Sequence, residues 1–140
     1  MIREFKKDEY IISTDHSKLQ FDAIHDFLRT TYWAKNIAFE KVKKATENSF
    51  CFGMYHENKQ MGFARVITDY TSFAYLADVY ILEEHRGKGL SKWMMQVILD
   101  YPDFKGLRKW VLRTADAHSL YSRFGFKTPD KPESYMELYL

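Results

Sequence analysis

The chain has 140 residues, the size of one domain, and can bury roughly two-thirds of its unfolded surface around a single core. A composition that is 46% hydrophobic and 17% aromatic excludes disorder and leaves aromatic side chains over for a ligand cleft. A net charge of +2 excludes a dedicated nucleic-acid binder, and a lone cysteine, Cys51, excludes an internal disulfide framework and a thiolate metal site.

The start of the chain, MIREFKKDEY, lacks the apolar core of a signal peptide, and no apolar run reaches the ~18 residues of a membrane span. A soluble, cytoplasmic protein with no membrane partner is expected. Weak alternation over Glu9–Thr14 predicts a short first strand. From Leu19 onward Ile24, Phe27, Leu28 and Thr31 recur at helical spacing, and Phe39, Val42 and Ala45 resume that period in a second helix. Between them Tyr32 and Trp33 are either core plugs or the wall of a cleft that covers a cationic acceptor by cation–π contact.

Phe50–Tyr55 and Gln60–Asp69 read as two strands joined by the turn residues His56 to Lys59, with Met61, Phe63, Arg65 and Ile67 on one face. Phe73–Leu82 is apolar at nearly every position, as in a central strand covered on both faces, and Asp78 interrupts it. Leu90, Met94, Val97, Ile98 and Tyr101 mark a third helix that stops before Pro102. Lys109–Thr114 is a further strand, Ala115–Arg123 a fourth helix closed by Gly125, and Ser134–Leu140 an alternating last strand whose edge suits a homodimer. No repeat or linker divides residues 1–140, which form a single domain.

The stretch ILEEHRGKGLS, Ile81–Ser91, joins the end of the central strand to the third helix through a basic, glycine-containing loop. Amides at a helix start have no intrahelical acceptor and lie at the positive end of the helix dipole, so they suit an anion. The spacing is not that of a Walker A loop, and Lys92 stands where a dinucleotide fingerprint needs its third glycine. By itself the loop is either a phosphate cradle or an ordinary turn.

Arg86, Gly89 and Ser91 resemble the R/Q-x-x-G-x-G/A signature of the GNAT superfamily of acyl-CoA-dependent N-acetyltransferases, with serine in place of the usual small residue. Downstream, Ala117, Leu120, Tyr121, Phe124, Gly125 and Phe126 resemble that family's A-x-x-L-Y-x-x-x-G-F segment. The resemblance implies an α/β (α+β) GNAT fold: a mixed, mostly antiparallel sheet of about six strands flanked by about four helices. It implies acetyl-CoA as co-substrate, with its pyrophosphate on the amides of Gly87, Lys88, Gly89, Leu90 and Ser91, Arg86 and Lys88 adding charge, and its pantetheine arm along Val79, Tyr80 and Ile81.

Transfer of acetyl to a primary amine by direct attack in a ternary complex is the implied reaction. It needs a proton for the departing thiolate and an acceptor for the proton of the amine. Tyr121 is the candidate acid, or else a core tyrosine. Asp78 is the candidate base, or else the partner of Arg65 in an ion pair. Glu83 and Glu84 are placed to steer a cationic acceptor, and a water-relayed proton path is the other route. Five scattered histidines without ligand spacing predict no metal. A catalytically silent acyl-CoA sensor would carry the same loop.

Overall fold

The computed structural model describes residues 1–140. In chain order the elements are β1 (Glu4–Lys7), β2 (Tyr10–Ser13), α1 (Phe21–Leu28), α2 (Phe39–Glu47), β3 (Phe50–His56), β4 (Lys59–Thr68), β5 (Ala74–Ile81), α3 (Leu90–Leu99), β6 (Trp110–Leu112) and α4 (His118–Ser122). The strands form one six-stranded sheet in the order β1-β2-β3-β4-β5-β6. All pairs are antiparallel except β5 with β6, which is parallel. No helix is long and apolar enough to cross a membrane.

The β3–β4 turn is tighter than the sequence predicts. Glu57 and Asn58 both take positive φ, 51° and 67°, the geometry of a two-residue hairpin whose twist matches its strands. Alternation along the strands then divides the apolar side chains between two layers. Phe52, Met54, Ala64 and Val66 pack against α3 through Leu90, Met94, Met95 and Ile98. On the opposite face Cys51, Phe63 and Tyr80 pack against Ile24 and Leu28 of α1 and Val42 of α2. Burial there pushes the Cys51 thiol up to about 12, and its Sγ lies 3.4 Å from the Thr46 carbonyl oxygen.

Two irregularities in the ladder change which residues share a face. Opposite Met54 and Tyr55, β4 carries an extra residue between Gly62 and Gln60, and this bulge turns Met61 to the α3 side, away from Phe63 and Arg65. In β5 the register passes from Tyr80 to Ala77 while β4 passes from Phe63 to Arg65, so the extra residue falls at Asp78–Val79. Asp78 takes φ 54°, a left-handed conformation that aspartate tolerates better than most residues.

Both ends of the chain depart from expectation. β1 was not expected, because its sequence EFKK is charged; charge suits a sheet edge, where lysine discourages further pairing. The strand expected over Ser134–Leu140 does not form. Past a 3-10 turn at Pro132–Ser134 the segment has no ladder partner and is held by side chains. Lys109 Nζ donates to Tyr135 Oη at 3.5 Å, and Arg113 Nη1 donates to Glu137 Oε2 at 3.2 Å and Tyr139 Oη at 3.0 Å. The homodimer edge expected there has no strand to supply it.

Gly53 and Tyr55 form a matched pair on the α1–α2 face of β3. A Cβ on Gly53 would stand 2.4 Å from Tyr55 Oη, so the glycine reserves the space of the ring. The Tyr55 hydroxyl is buried without a hydrogen-bond partner, which leaves a desolvated polar group uncompensated at about 1–3 kcal/mol. Tyr55→Phe is expected to stabilise the fold by about 1 kcal/mol, measured as the urea unfolding midpoint at unchanged slope; a lower midpoint would show that the hydroxyl is satisfied.

Candidate functional site

β5 and β6 pair only through Ala74, Tyr75 and Leu76, opposite Trp110, Val111 and Leu112. Beyond Leu76 the strands part, and the backbone of Ala77–Ile81 has no ladder partner on its β6 side. A cavity of about 1100 Å³ opens in this gap. Its lining includes Val79, Tyr80 and Ile81, then Arg86 and Ser91 at one end and Tyr32, Trp33 and Asp78 at the other, with Tyr121 among them.

At the first end, a 3-10 turn over Glu83–His85 carries the chain out of β5. Arg86 Nε donates to the Ile81 carbonyl oxygen at 2.9 Å and so fixes the strand end to the loop. Gly87 and Gly89 have φ of 81° and 76°, and a Cβ on either would meet nothing within 4 Å. Glycine is therefore selected there by backbone conformation and by the open space in front of the loop. Gly89 caps α3 with no side-chain bond, and the N–H groups of Gly87 through Lys92 find no acceptor within the chain. Leu90 is buried under them and anchors the helix start, so it can offer a ligand only its amide. Six successive free amides at the positive end of a ten-residue helix give the loop a geometry that suits an anion.

Lys88 is placed differently from the expectation of a charge added over those amides. Its Nζ lies 3.2 Å from Tyr10 Oη on β2, 5.8 Å from the ring centroid. Tyr10 Oη also pairs with His85 Nδ1 at 2.9 Å. The lysine thus ties the loop to the sheet, and its ammonium lies off the cavity lining.

Tyr121 stands on α4, 9% exposed, with its ring edge-on to Phe126 at 5.9 Å. Gly125, at φ 93°, ends the helix and lets the Phe126 N–H return to the Tyr121 carbonyl oxygen at 3.3 Å. Burial pushes the phenol up to about 12, with smaller contributions from Tyr32 and Asp116. The phenol makes no hydrogen bond within the chain and lines the cavity.

At the far end, Tyr32 and Trp33 are 59% and 45% exposed, which makes them cleft wall rather than core plugs. Tyr32 Oη accepts from Ala115 N at 2.9 Å, and Trp33 Nε1 donates to Asp78 Oδ1 at 2.9 Å. Asp78 Oδ2 accepts from Arg65 Nε at 2.9 Å; of the two expectations for Asp78, the ion pair is the one this geometry forms. Glu83 and Glu84 lie outside the cavity lining. Asp116 and Tyr139 line it without having been singled out from sequence. Asp116 fell within the helix expected from Ala115, but α4 begins only at His118 and leaves Asp116 in a bend; Tyr139 belonged to the strand that did not form.

The acetyltransferase (GNAT) family model matches residues 17–126. The chain belongs to the GNAT acetyltransferase family. A candidate acetyltransferase of Gibberella zeae is 32% identical over an alignment of 142 positions, covering 86% of this chain and 80% of the relative. A GNAT-family protein of Xanthomonas campestris pv. campestris is 48% identical, superposes with a TM-score of 0.90, and covers 94% of this chain and 93% of its own. A candidate acetyltransferase of Clostridium acetobutylicum, solved with acetyl-CoA, shares the GNAT fold at a TM-score of 0.67 and 14% identity over 99% of this chain and 96% of its own.

The buried phenol gives this GNAT site a pH signature. Its folded pKa of about 12 lies above the ordinary value of 10.0, so its stabilising contribution is complete below pH 10.0 and is lost as pH rises toward about 12. In spectrophotometric titration at ~295 nm, Tyr121→Phe is expected to remove one tyrosinate that ionises late; loss of one that ionises near 10 would contradict this burial.

Proposed function

We propose that this GNAT protein transfers acetyl from acetyl-CoA to a primary amine by direct attack, with both substrates bound in the β5–β6 gap. The run of free amides from Gly87 to Lys92 meets the cavity at Ser91, beside Arg86, and the unpaired Tyr121 phenol lines the same cavity; this pairing is the observation that carries the proposal. Acetyl-CoA would supply the thioester, and its pyrophosphate suits the amide cradle beside Arg86, with the rest of the arm along Val79–Ile81.

An alkyl ammonium with a pKa of about 10.4 must lose a proton before it attacks. Asp116 lines the cavity with no hydrogen bond on its carboxylate and attracts the cation toward the opening, where water takes the proton. An unpaired N–H of the Val79–Ile81 backbone meets the oxyanion that forms on the carbonyl. The departing thiolate then needs stabilisation.

The high pKa of Tyr121 sharpens its part. At about 12 the phenol keeps its proton at neutral pH, yet giving it up to a free thiolate of pKa about 8.5 is unfavourable by roughly three powers of ten. Tyr121 therefore acts chiefly as a hydrogen-bond donor to sulfur as charge develops, and the proton that ends on the thiol is the one the nitrogen releases. Such a charged hydrogen bond contributes about 1.5–3 kcal/mol, or roughly 10- to 100-fold in rate.

Release of free CoA thiol, measured with acetyl-CoA and a panel of amines, tests the reaction; binding of acetyl-CoA with no turnover on any amine would favour a cofactor sensor. Tyr121→Phe is expected to lower kcat about 10- to 100-fold while leaving acetyl-CoA affinity within about twofold. An unaltered kcat would remove Tyr121 from the chemistry. Gly89→Val forces a branched residue into left-handed backbone and sets methyl groups before the cradle, so acetyl-CoA affinity is expected to fall about tenfold or more. Calorimetry on the folded variant checks this, and wild-type affinity would reject the cradle.

A further inference from the structure

The segment between α1 and α2 crosses the β5–β6 gap and is fastened on both sides. Tyr32 Oη takes the Ala115 amide of the β6–α4 loop at 2.9 Å, and Trp33 Nε1 reaches Asp78 on β5 at 2.9 Å. The two rings meet edge to face with centroids 5.1 Å apart. With 59% and 45% of their surfaces exposed, neither ring is locked in a core, and these hydrogen bonds fix the orientation that partial burial leaves open.

Asp78 is built for this. The bulge at Asp78–Val79 and its positive φ of 54° re-aim a side chain that sits in a strand. One carboxylate oxygen accepts from Arg65 Nε and the other from Trp33 Nε1. Arg65 is itself fixed, since its Nη1 donates to Ser49 Oγ at 3.1 Å. The side chains of Arg65 and Asp78 are 15% and 13% exposed, and a rigid chain Ser49–Arg65–Asp78–Trp33 runs from the start of β3 to the cavity mouth. A carboxylate committed in this way to two donors, one of them a guanidinium, is poorly placed to collect a proton from substrate.

We propose that Asp78 is a positioning residue that seats the Trp33 indole as the wall of the acceptor mouth, with Arg65 fixing the carboxylate. The function rests on acetyl transfer at this cavity; the geometry does not. Removing the seat weakens acceptor binding and leaves the chemical step largely in place.

Steady-state kinetics would use whichever of 2-phenylethylamine, spermidine, glucosamine and a lysine peptide turns over fastest. Trp33→Phe keeps the ring but loses the N–H, and is expected to raise the acceptor KM about tenfold with kcat within about threefold. Asp78→Ala should raise it at least as much, since it also releases Arg65, and the double variant should be no worse than Asp78→Ala, because Trp33→Phe then has no bond left to lose. Asp78→Asn keeps the shape but leaves one oxygen for two donors, Arg65 Nε and Trp33 Nε1, so its acceptor KM should rise by no more than that of Asp78→Ala, again with kcat within about threefold. A general base would behave otherwise: Asp78→Asn and Asp78→Ala would both lose about 100-fold or more in kcat, and the acid limb of the pH–rate profile would vanish. That outcome, or an unmoved acceptor KM in Trp33→Phe, overturns the assignment.

A second measurement needs no turnover. The indole N–H resonance of Trp33, identified by its loss in Trp33→Phe, should move upfield and exchange faster with water in Asp78→Ala. An unchanged resonance in Asp78→Ala overturns the seat. Should no amine react, acetyl transfer fails while this resonance still decides whether Asp78 holds Trp33.

Discussion

The parting of β5 from β6 is the constraint on which the rest of the molecule depends. Three residue pairs hold the two strands together before the ladder ends. The bulge at Asp78 adds twist to β5 just past the last pair, where a regular strand would have carried straight on. Backbone groups left without a sheet neighbour normally make an edge vulnerable to adventitious pairing. Here helices and loops surround the gap, so those groups become the lining of a cavity. One irregularity thus opens the cleft and supplies polar backbone inside it.

Charge is distributed unevenly along that cleft. At the α3 end the amides and the free guanidinium nitrogens of Arg86 leave positive potential unsatisfied. Toward the opposite end Arg65 pairs with Asp78 and Arg113 with Glu137, and the Asp116 carboxylate is left unpaired. An anion is therefore drawn to one end, and aromatic faces dominate the other. Lys88, which would have extended the positive region, is instead held back on Tyr10, so the cradle relies on fixed dipoles rather than on a mobile ammonium. Dipoles held by a helix need no reorganisation when a ligand arrives.

The parts legible in sequence are those whose chemistry is local. RGKGLS can be read because a strand-to-helix turn with free amides requires glycine at defined places, and SLYSRFGF because a short helix and its glycine stop fall within a few residues. The central strand was legible as one covered on both faces because Phe73–Leu82 is apolar at nearly every position, and Leu76 and Tyr80 do pack into the two separate layers. Trp33 and Asp78 were each conspicuous, but their contact spans 45 residues and depends on a bulge that no periodicity encodes. Met61 changed faces through another such bulge. The alternation of Tyr135, Glu137 and Tyr139 was real but served Lys109 and Arg113, because side-chain pairing and a backbone ladder impose the same period of two. Charged β1 gave no apolar pattern at all.

Cys51 lies beneath α1 and α2 with 2% of its surface exposed, and its thiol is pushed up to about 12. Only a thiolate reacts readily with an aromatic disulfide reagent, and at neutral pH this side chain supplies almost none. The folded protein is therefore silent to such a reagent. Any colour that develops during an assay reports coenzyme set free in solution, and a slow rise without substrate reports molecules that have opened.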